Sequence, residues 1–288
     1  DEIHCYGIAK LPLYMNSDLV LSRIKVLPMG FFPFRPSNDR LYTGVLEKGF
    51  FLKLTGQHKY QAGSAFFIAP SHGMEGAGIL SIKAFFAAGG GIAKAAVFSS
   101  EARILLTSAS PTIMFSNLEE VDGVNASSIV IGPGLAAVDL NRYREKILRL
   151  LIEASPKVNV VILDALAAGL VLEKDYPAEL KTKTLCTPHE GEWARLGGPS
   201  VRTAAGLRAA KQFAKQLGVH ILVKGSVTIY LDPNGEKSLF FSRPNASLSV
   251  AGSGDALAGI LAASFSRQRE TEVSFETKLT QGLCLHSD

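Results

Sequence analysis

The sequence predicts an α/β fold with a mainly parallel sheet covered by helices on both faces. Three observations carry this reading. Short, nearly continuous apolar runs such as Ser128–Ile131 and Asn159–Leu163 have strand length, the pattern of strands buried on both sides. Segments of helical length separate them, notably Val138–Ala154 with Leu140, Ile147, Leu148 and Leu151 on one side. Glycine-bearing turns follow several of the runs, at the carboxyl ends where such sheets bind ligands.

The elements follow in order. Residues 1 to about 45 contain Pro12, Pro28, Pro33 and Pro36 and two short apolar runs at 19–21 and 24–29. They read as one or two strands and a long connection. Ser64–Ala69 is a buried strand, Ala77–Ala88 a helix with an apolar face, and Ile92–Phe98 a strand. After the helix at 138–154 and the run at 159–163 comes a helix over Val201–Leu217, stopped by Gly218 in the C′ manner. His220–Val223, Val227–Leu231 and Leu239–Phe241 are strands, the last two joined by the turn Asp232-Pro-Asn-Gly235. Two helices close the chain, at 255–267 and about 274–286.

Composition excludes several classes. With 288 residues and 47% hydrophobic content, a sizeable core in one or two domains is expected. The 30 basic and 26 acidic residues are scattered, so neither a nucleic-acid surface nor a polybasic membrane anchor is expected. Cys5, Cys186 and Cys284 are widely spaced with no C-x-x-C pattern, which fits free thiols in the cytoplasm. Asp1 to Lys10 has neither the basic head nor the apolar core of a signal peptide. The most membrane-like window, Ala77 to Phe98, is interrupted by Lys83, Lys94 and three glycines. P-loop, H-E-x-x-H, G-x-S-x-G and zinc spacings are absent.

The chemistry-bearing stretch is Leu248-Ser-Val-Ala-Gly-Ser-Gly-Asp-Ala-Leu-Ala-Gly259. Gly252 and Gly254 permit a tight turn that exposes backbone N–H groups, and Ser253 lies between them. These groups open a helix, where anions bind. Asp255, in the first turn, is positioned to remain ionised and to take a proton from a hydroxyl attacking a phosphoryl group. The plain alternative is an Asp that only complements the helix dipole. Lys224, Gly225, Ser226, Val227 and Thr228 lie at a strand end, suited to a nucleotide phosphate or ribose or to a simple tight turn. In Thr187-Pro-His-Glu-Gly-Glu192 the spacing predicts Thr187 as N-cap, Pro188 at the first helical position and Glu190 closing a capping box. That leaves His189 and Glu192 on one face, for substrate contact or for ordering a metal-bound water. Gly132-Pro-Gly134 reads as a backbone wall against a ligand or as a plain turn, and Gly76–Gly78 allow a flat ligand to approach.

In this order the motifs resemble the ADP/ATP-dependent NAD(P)H-hydrate dehydratase family. They are His58-Lys59 with Gly63, Gly73-Met-Glu-Gly-Ala77, Gly132-Pro-Gly134, Thr187-Pro-His-Glu-Gly-Glu192, Lys224-Gly225 and Gly252-Ser-Gly-Asp255 with Leu257-Ala-Gly259. The resemblance implies a three-layer α/β/α ribokinase-like fold over 46–288. It also likens Tyr6-Gly-Ile-Ala-Lys-Leu-Pro-Leu-Tyr14 to the end of an NAD(P)H-hydrate epimerase domain, making 1–45 that tail plus a linker. The epimerase's catalytic part is not in the chain. The family usually carries an Asp-Ala-Asp-Ala-Leu-Asn-like stretch, and Asp164-Ala-Leu-Ala-Ala-Gly169 lacks the second acid and the Asn. Ala251 replaces a common Gly, and the chain stops at Asp288 where relatives continue, so a trimmed C-terminus is expected.

The resemblance further implies the chemistry. Asp255 accepts a proton from the ring hydroxyl of hydrated NADH or NADPH, which then attacks the terminal phosphate of ADP or ATP. Lys224, Gly225, Ser226, Val227 and Thr228 with Gly252, Ser253 and Gly254 hold the nucleotide. Ala77, Gly134 and His189 face the hydrated dinucleotide, and Glu192 orders Mg²⁺ or its waters. ADP is favoured by the bacterial look of the fusion, and a homo-oligomer is expected. A small-molecule kinase of the same fold, acting on a hydroxymethylpyrimidine- or sugar-like alcohol, and a non-catalytic nucleotide-binding subunit remain as alternatives.

Overall fold

The computed structural model describes residues 62–242, 248–267 and 273–287, with the backbones of three short strands at 3–6, 24–27 and 39–42. These head strands are β1 (Ile3–Tyr6), β2 (Ile24–Leu27) and β3 (Asp39–Tyr42). β1 and β2 pair in parallel as a separate ribbon, and β3 joins the main sheet. Composition suggested one or two strands here. The third, Asp-Arg-Leu-Tyr, has too little apolar run to announce itself. Most of the epimerase-like stretch 6–14, together with His58 and Lys59, lies outside the described residues.

The main sheet is built from β4 (Ser64–Ile68), β5 (Ile92–Val97), β6 (Met114–Asn117), β7 (Ser128–Ile131), β8 (Val160–Leu163), β9 (Thr184–Cys186), β10 (His220–Val223), β11 (Thr228–Leu231) and β12 (Ser238–Phe241). With β3 it has ten strands in the order β3-β12-β11-β10-β9-β8-β7-β4-β5-β6. From β10 to β6 every pairing is parallel, and only β11 runs antiparallel to its neighbours. The expected hairpin at 226–242 is that antiparallel insertion.

Side chains alternate across the sheet, as period-2 geometry requires. Phe66, Ile68, Ile129, Ile131, Val161 and Leu163 enter one apolar layer. Helices α3 (Ala137–Ala154), α4 (Glu190–Arg195) and α5 (Ala204–Leu217) cover it through Ile147, Leu151, Trp193 and Leu207. Ala65, Phe67, Val130, Val160 and Ile162 enter the other layer. There α1 (Glu75–Ala87), α6 (Ser253–Ser266) and α7 (Phe275–Ser287) pack through Ile82, Phe85, Leu257, Leu261 and Leu279. At the crossing of α1 and α6, a Cβ on Gly259 would collide with the Ser81 carbonyl. Glycine is therefore required for the two backbones to approach. The three layers are those the sequence predicted.

Some elements differ from expectation. The helix expected over 201–217 starts at Ala204, because the Thr203 side chain accepts the Gly206 N–H at 3.1 Å and fixes the cap there. Sequence reading missed α2 (Ser100–Ala109), which buries only Ala102 and Leu106 and leaves Ile104 and Leu105 exposed. It also missed β6, an edge strand with no fully buried residue.

Candidate active site

The parallel strands deliver their carboxyl ends to one edge of the sheet, and the expected site residues gather there. After β4 the Ser71 N–H donates to the Gly134 carbonyl at 2.8 Å, and the Ala136 N–H donates to Ser71 Oγ at 2.9 Å. The loop before α1 and the turn after β7 thus form one wall. Gly134 has φ +72°, and a Cβ there would lie 2.5 Å from the Met74 carbonyl oxygen and 3.1 Å from the Ala77 Cβ. Ala77 and Gly134, expected together against the dinucleotide, are neighbours.

Asp164 ends β8 and is 3% exposed. Its Oδ1 accepts the Thr187 hydroxyl at 2.6 Å and the Lys224 ammonium at 2.6 Å. Lys224 follows β10, and its Nζ comes within 3.1 Å of where a Cβ on Gly254 would stand. A cation is therefore held between a buried carboxylate and the glycine turn.

That arrangement moves the helix cap. Thr187 was expected to be the N-cap with Glu190 as partner, but its hydroxyl is committed to Asp164. The cap is His189: Nδ1 accepts the N–H groups of Gly191 and Glu192 at 3.0 and 3.3 Å, and Glu192 Oε2 accepts the His189 N–H at 2.8 Å. The capping box thus lies two residues later, on the pair the sequence left over for function. With Nδ1 accepting, the ring proton is on Nε2, 3.2 Å from Glu192 Oε1. His189 also bridges to Lys224 in the sheet direction, and the Lys224 N–H donates to the Pro188 carbonyl at 2.8 Å.

The residues present do not form a magnesium cage by themselves. Both Glu192 oxygens face His189 and one Asp164 oxygen holds Lys224 and Thr187. Among the described residues no group of three or more His, Cys, Asp or Glu side chains is placed to hold a metal ion.

Asp255 stands in the first turn of α6, after Gly252 in the left-handed region at φ +91°. Burial, and then the Asp164 charge, push its pKa up to about 6, against the opposing pull of Lys224. The helix start does not offset this burial, yet at pH 7 the group is mainly ionised, as the sequence reading expected. A cleft of about 620 Å³ opens beside it. The cleft is lined by the polar groups of His189, Lys224, Gly225, Ser226, Thr228, Ser253 and Gly254 and by the apolar side chains of Phe241, Leu248, Leu257 and Leu283. Val227 instead packs its side chain against the core. Gly252 contacts the other wall, since a Cβ there would strike Leu80 of α1.

Sequence reasoning did not single out the Asp164–Thr187 contact, the apolar lining of the cleft, or His286 among its lining residues. Asp164 carried a signal in standing directly after a buried run. His286 carried none.

Comparison with known proteins places these features. The NAD(P)H-hydrate dehydratase family profile matches residues 65–283. A bifunctional NAD(P)H-hydrate repair enzyme from Thermofilum pendens is 31% identical over 80% of this chain and 45% of its own length. An ADP-dependent (S)-NAD(P)H-hydrate dehydratase from Listeria monocytogenes is 28% identical over 71% of this chain and 72% of its own. The chain spans less than half the length of the bifunctional relatives it matches. A ribokinase-like superfamily protein from Enterococcus faecalis superposes with TM-score 0.70 at 22% identity, covering 89% of each chain. The ADP/ATP-dependent NAD(P)H-hydrate dehydratase from Bacillus subtilis, co-crystallised with ATP and Mg²⁺, superposes with TM-score 0.61 at 22% identity over 81% of each. The fold is ribokinase-like, and the chain belongs to the NAD(P)H-hydrate dehydratase family.

Proposed function

We propose that this chain uses ADP or ATP to dehydrate hydrated NADH and NADPH. One observation carries the reading beyond family membership. Asp255, with a pKa of about 6, stands beside a glycine turn at a helix start, and Lys224 is anchored by Asp164 against the same turn. A general base works best with a pKa near the operating pH, and the turn and ammonium supply charge stabilisation for a transferring phosphoryl group.

The nucleotide occupies the cleft, its base against the apolar side chains and its phosphates toward Lys224, Ser253 and Gly254. The hydrated ring lies against Ala77 and Gly134, with His189 at its edge. Asp255 accepts the hydroxyl proton and the oxygen takes the terminal phosphoryl group. The resulting ester leaves as phosphate, driven by the ring nitrogen, and loss of a neighbouring proton restores the reduced nicotinamide. Magnesium carried by the nucleotide would supply further charge neutralisation at the phosphates, and Glu192, engaged by His189, would at this position order its waters. ADP is the favoured donor, in line with the name of the Listeria relative. We place the activity in the cytoplasm. Among the described residues no helix is long and apolar enough to cross a membrane, and Cys186 is a buried free thiol.

The test is to incubate the chain with hydrated NADH and each nucleotide, following reduced-nicotinamide absorbance. Recovery with about one nucleotide consumed per NADH, the ratio one phosphoryl transfer requires, supports the reading. A stable phosphorylated alcohol with no recovery assigns the site to a kinase.

A further inference from the structure

The Gly252-Ser253-Gly254 turn has no cap of its own: Gly252 is the N-cap of α6 and offers no side chain to it. Glycines on both sides of Ser253 leave this backbone free to adopt other shapes. What holds it comes from the far end of the chain. Helix α7 lies along α6, with Leu279, Leu283 and Cys284 buried in the same layer as Leu257 and Leu261. Gly282 is so close that a Cβ there would reach within 2.7 Å of Leu261. This packing sets the last turn of α7 over the first turn of α6.

There His286 meets Ser253 twice. Its Nε2 lies 2.9 Å from the Ser253 carbonyl oxygen and 3.1 Å from the Ser253 hydroxyl. A carbonyl oxygen can only accept, so Nε2 carries the proton. Burial lowers the His286 pKa and the Lys224 charge adds to this, against the opposing effect of the Ser253 bond, so the neutral ring persists at pH 7. His286, Ser253, Gly254 and Lys224 line the same cleft.

We propose that His286 is a positioning residue for the nucleotide's phosphates. Its bond to Ser253 holds the otherwise uncapped glycine turn in the shape that presents first-turn N–H groups to an anion. The inference rests on the cleft being a nucleotide site. It adds that the closing helix, and not only the glycine motif, determines nucleotide affinity. The residue acts through the phosphate turn and not on the dinucleotide wall.

The full chain and its His286→Ala and His286→Gln variants test this. ADP and ATP binding is measured by calorimetry, alongside steady-state constants and thermal melting. His286→Ala is expected to weaken nucleotide binding about tenfold, the scale of one lost buried hydrogen bond. The nucleotide KM should rise in step and kcat should fall with it, since the same turn stabilises the transferring phosphoryl group, while the KM for hydrated NADH stays within about twofold. His286→Gln keeps an N–H donor and is expected to recover most of the loss. Unchanged nucleotide affinity in a folded His286→Ala protein overturns the proposal, as does equal weakening of both substrates. Should His286→Ala not fold, a folded His286→Gln protein that loses affinity by tenfold or more overturns it. A wild-type chain that binds neither nucleotide overturns the proposed function and this inference together; wild-type binding with an indifferent variant overturns this inference alone.

Discussion

The Lys224 ammonium and the Asp164 carboxylate meet at 2.6 Å at the head of the parallel sheet. Asp164 is almost wholly removed from water, whereas the Lys224 side chain keeps 20% exposure. The pair is asymmetric: the anion depends on the cation, and the cation remains able to reach a ligand. In the proposed function, a nucleotide phosphate at Gly254 would meet a lysine already desolvated on one side.

Lys224→Met is expected to destabilise the chain by about 3 kcal/mol, because it strands a buried carboxylate with only the Thr187 hydroxyl. Adding Asp164→Asn should recover much of that loss. Urea unfolding of both singles and the double reads the coupling, and strictly additive losses would show that the pair is not coupled.

Asp255→Asn is expected to lower turnover by roughly a hundredfold or more while leaving nucleotide affinity nearly intact. In the wild type the rate should fall on the acid side of about pH 6, where Asp255 takes up its proton. Stability moves the other way. A carboxyl whose folded pKa is raised costs stability once ionised, and this cost is absent below its ordinary value and complete above about pH 6. The variant should therefore melt higher than wild type at pH 7.5, with the gap closing toward pH 4.

Gly134→Ala places a side chain at φ +72° and drives it toward the Met74 carbonyl and Ala77. It should raise the KM for hydrated NADH and leave ADP affinity within about twofold, since distant sites act independently. In the wild type, the hydrated dinucleotide should slow hydrogen exchange at residues 70–78 and 132–135. Protection confined to the Lys224–Thr228 strand end would exchange the two sites.

His220 supplies an acid-sensitive element outside the cleft. It is buried, stacked on Phe275, and bonded through Nδ1 to the Tyr230 hydroxyl at 2.7 Å and through Nε2 to the Thr182 carbonyl at 3.1 Å. Burial lowers its pKa to about 4. The unfolded chain takes up this proton first, so His220 makes stability fall as pH drops from about 6.5 toward 4. His220→Gln should melt lower than wild type at pH 7.5 and show a shallower loss between those two values in a pH series of melts.

Much of this was legible in the residues themselves. Ser128–Ile131 is apolar enough to be a strand without context, and the glycine turn with Asp255 announces the helix start that the structure shows there. What escaped is what depends on distant partners. Nothing near Thr187 shows that its hydroxyl is needed 23 residues away at Asp164, which moved the capping box onto His189 and Glu192. His286 lies 33 residues from Ser253, and only the packing of two helices brings them together. The edge strand at 114–117 lacks the burial that marks the others.

The contact between Gly259 and Ser81 has a mechanical consequence. In the proposed function Ala77 on α1 faces the dinucleotide and Asp255 on α6 is the base, and the two backbones are closest at Gly259 and Ser81. The spacing of these helices is thus set by one missing methyl group, away from either residue. A side chain at 259 would have to push Ser81 aside, and Asp255 would shift with its helix even with every group of the proposed site still in the chain.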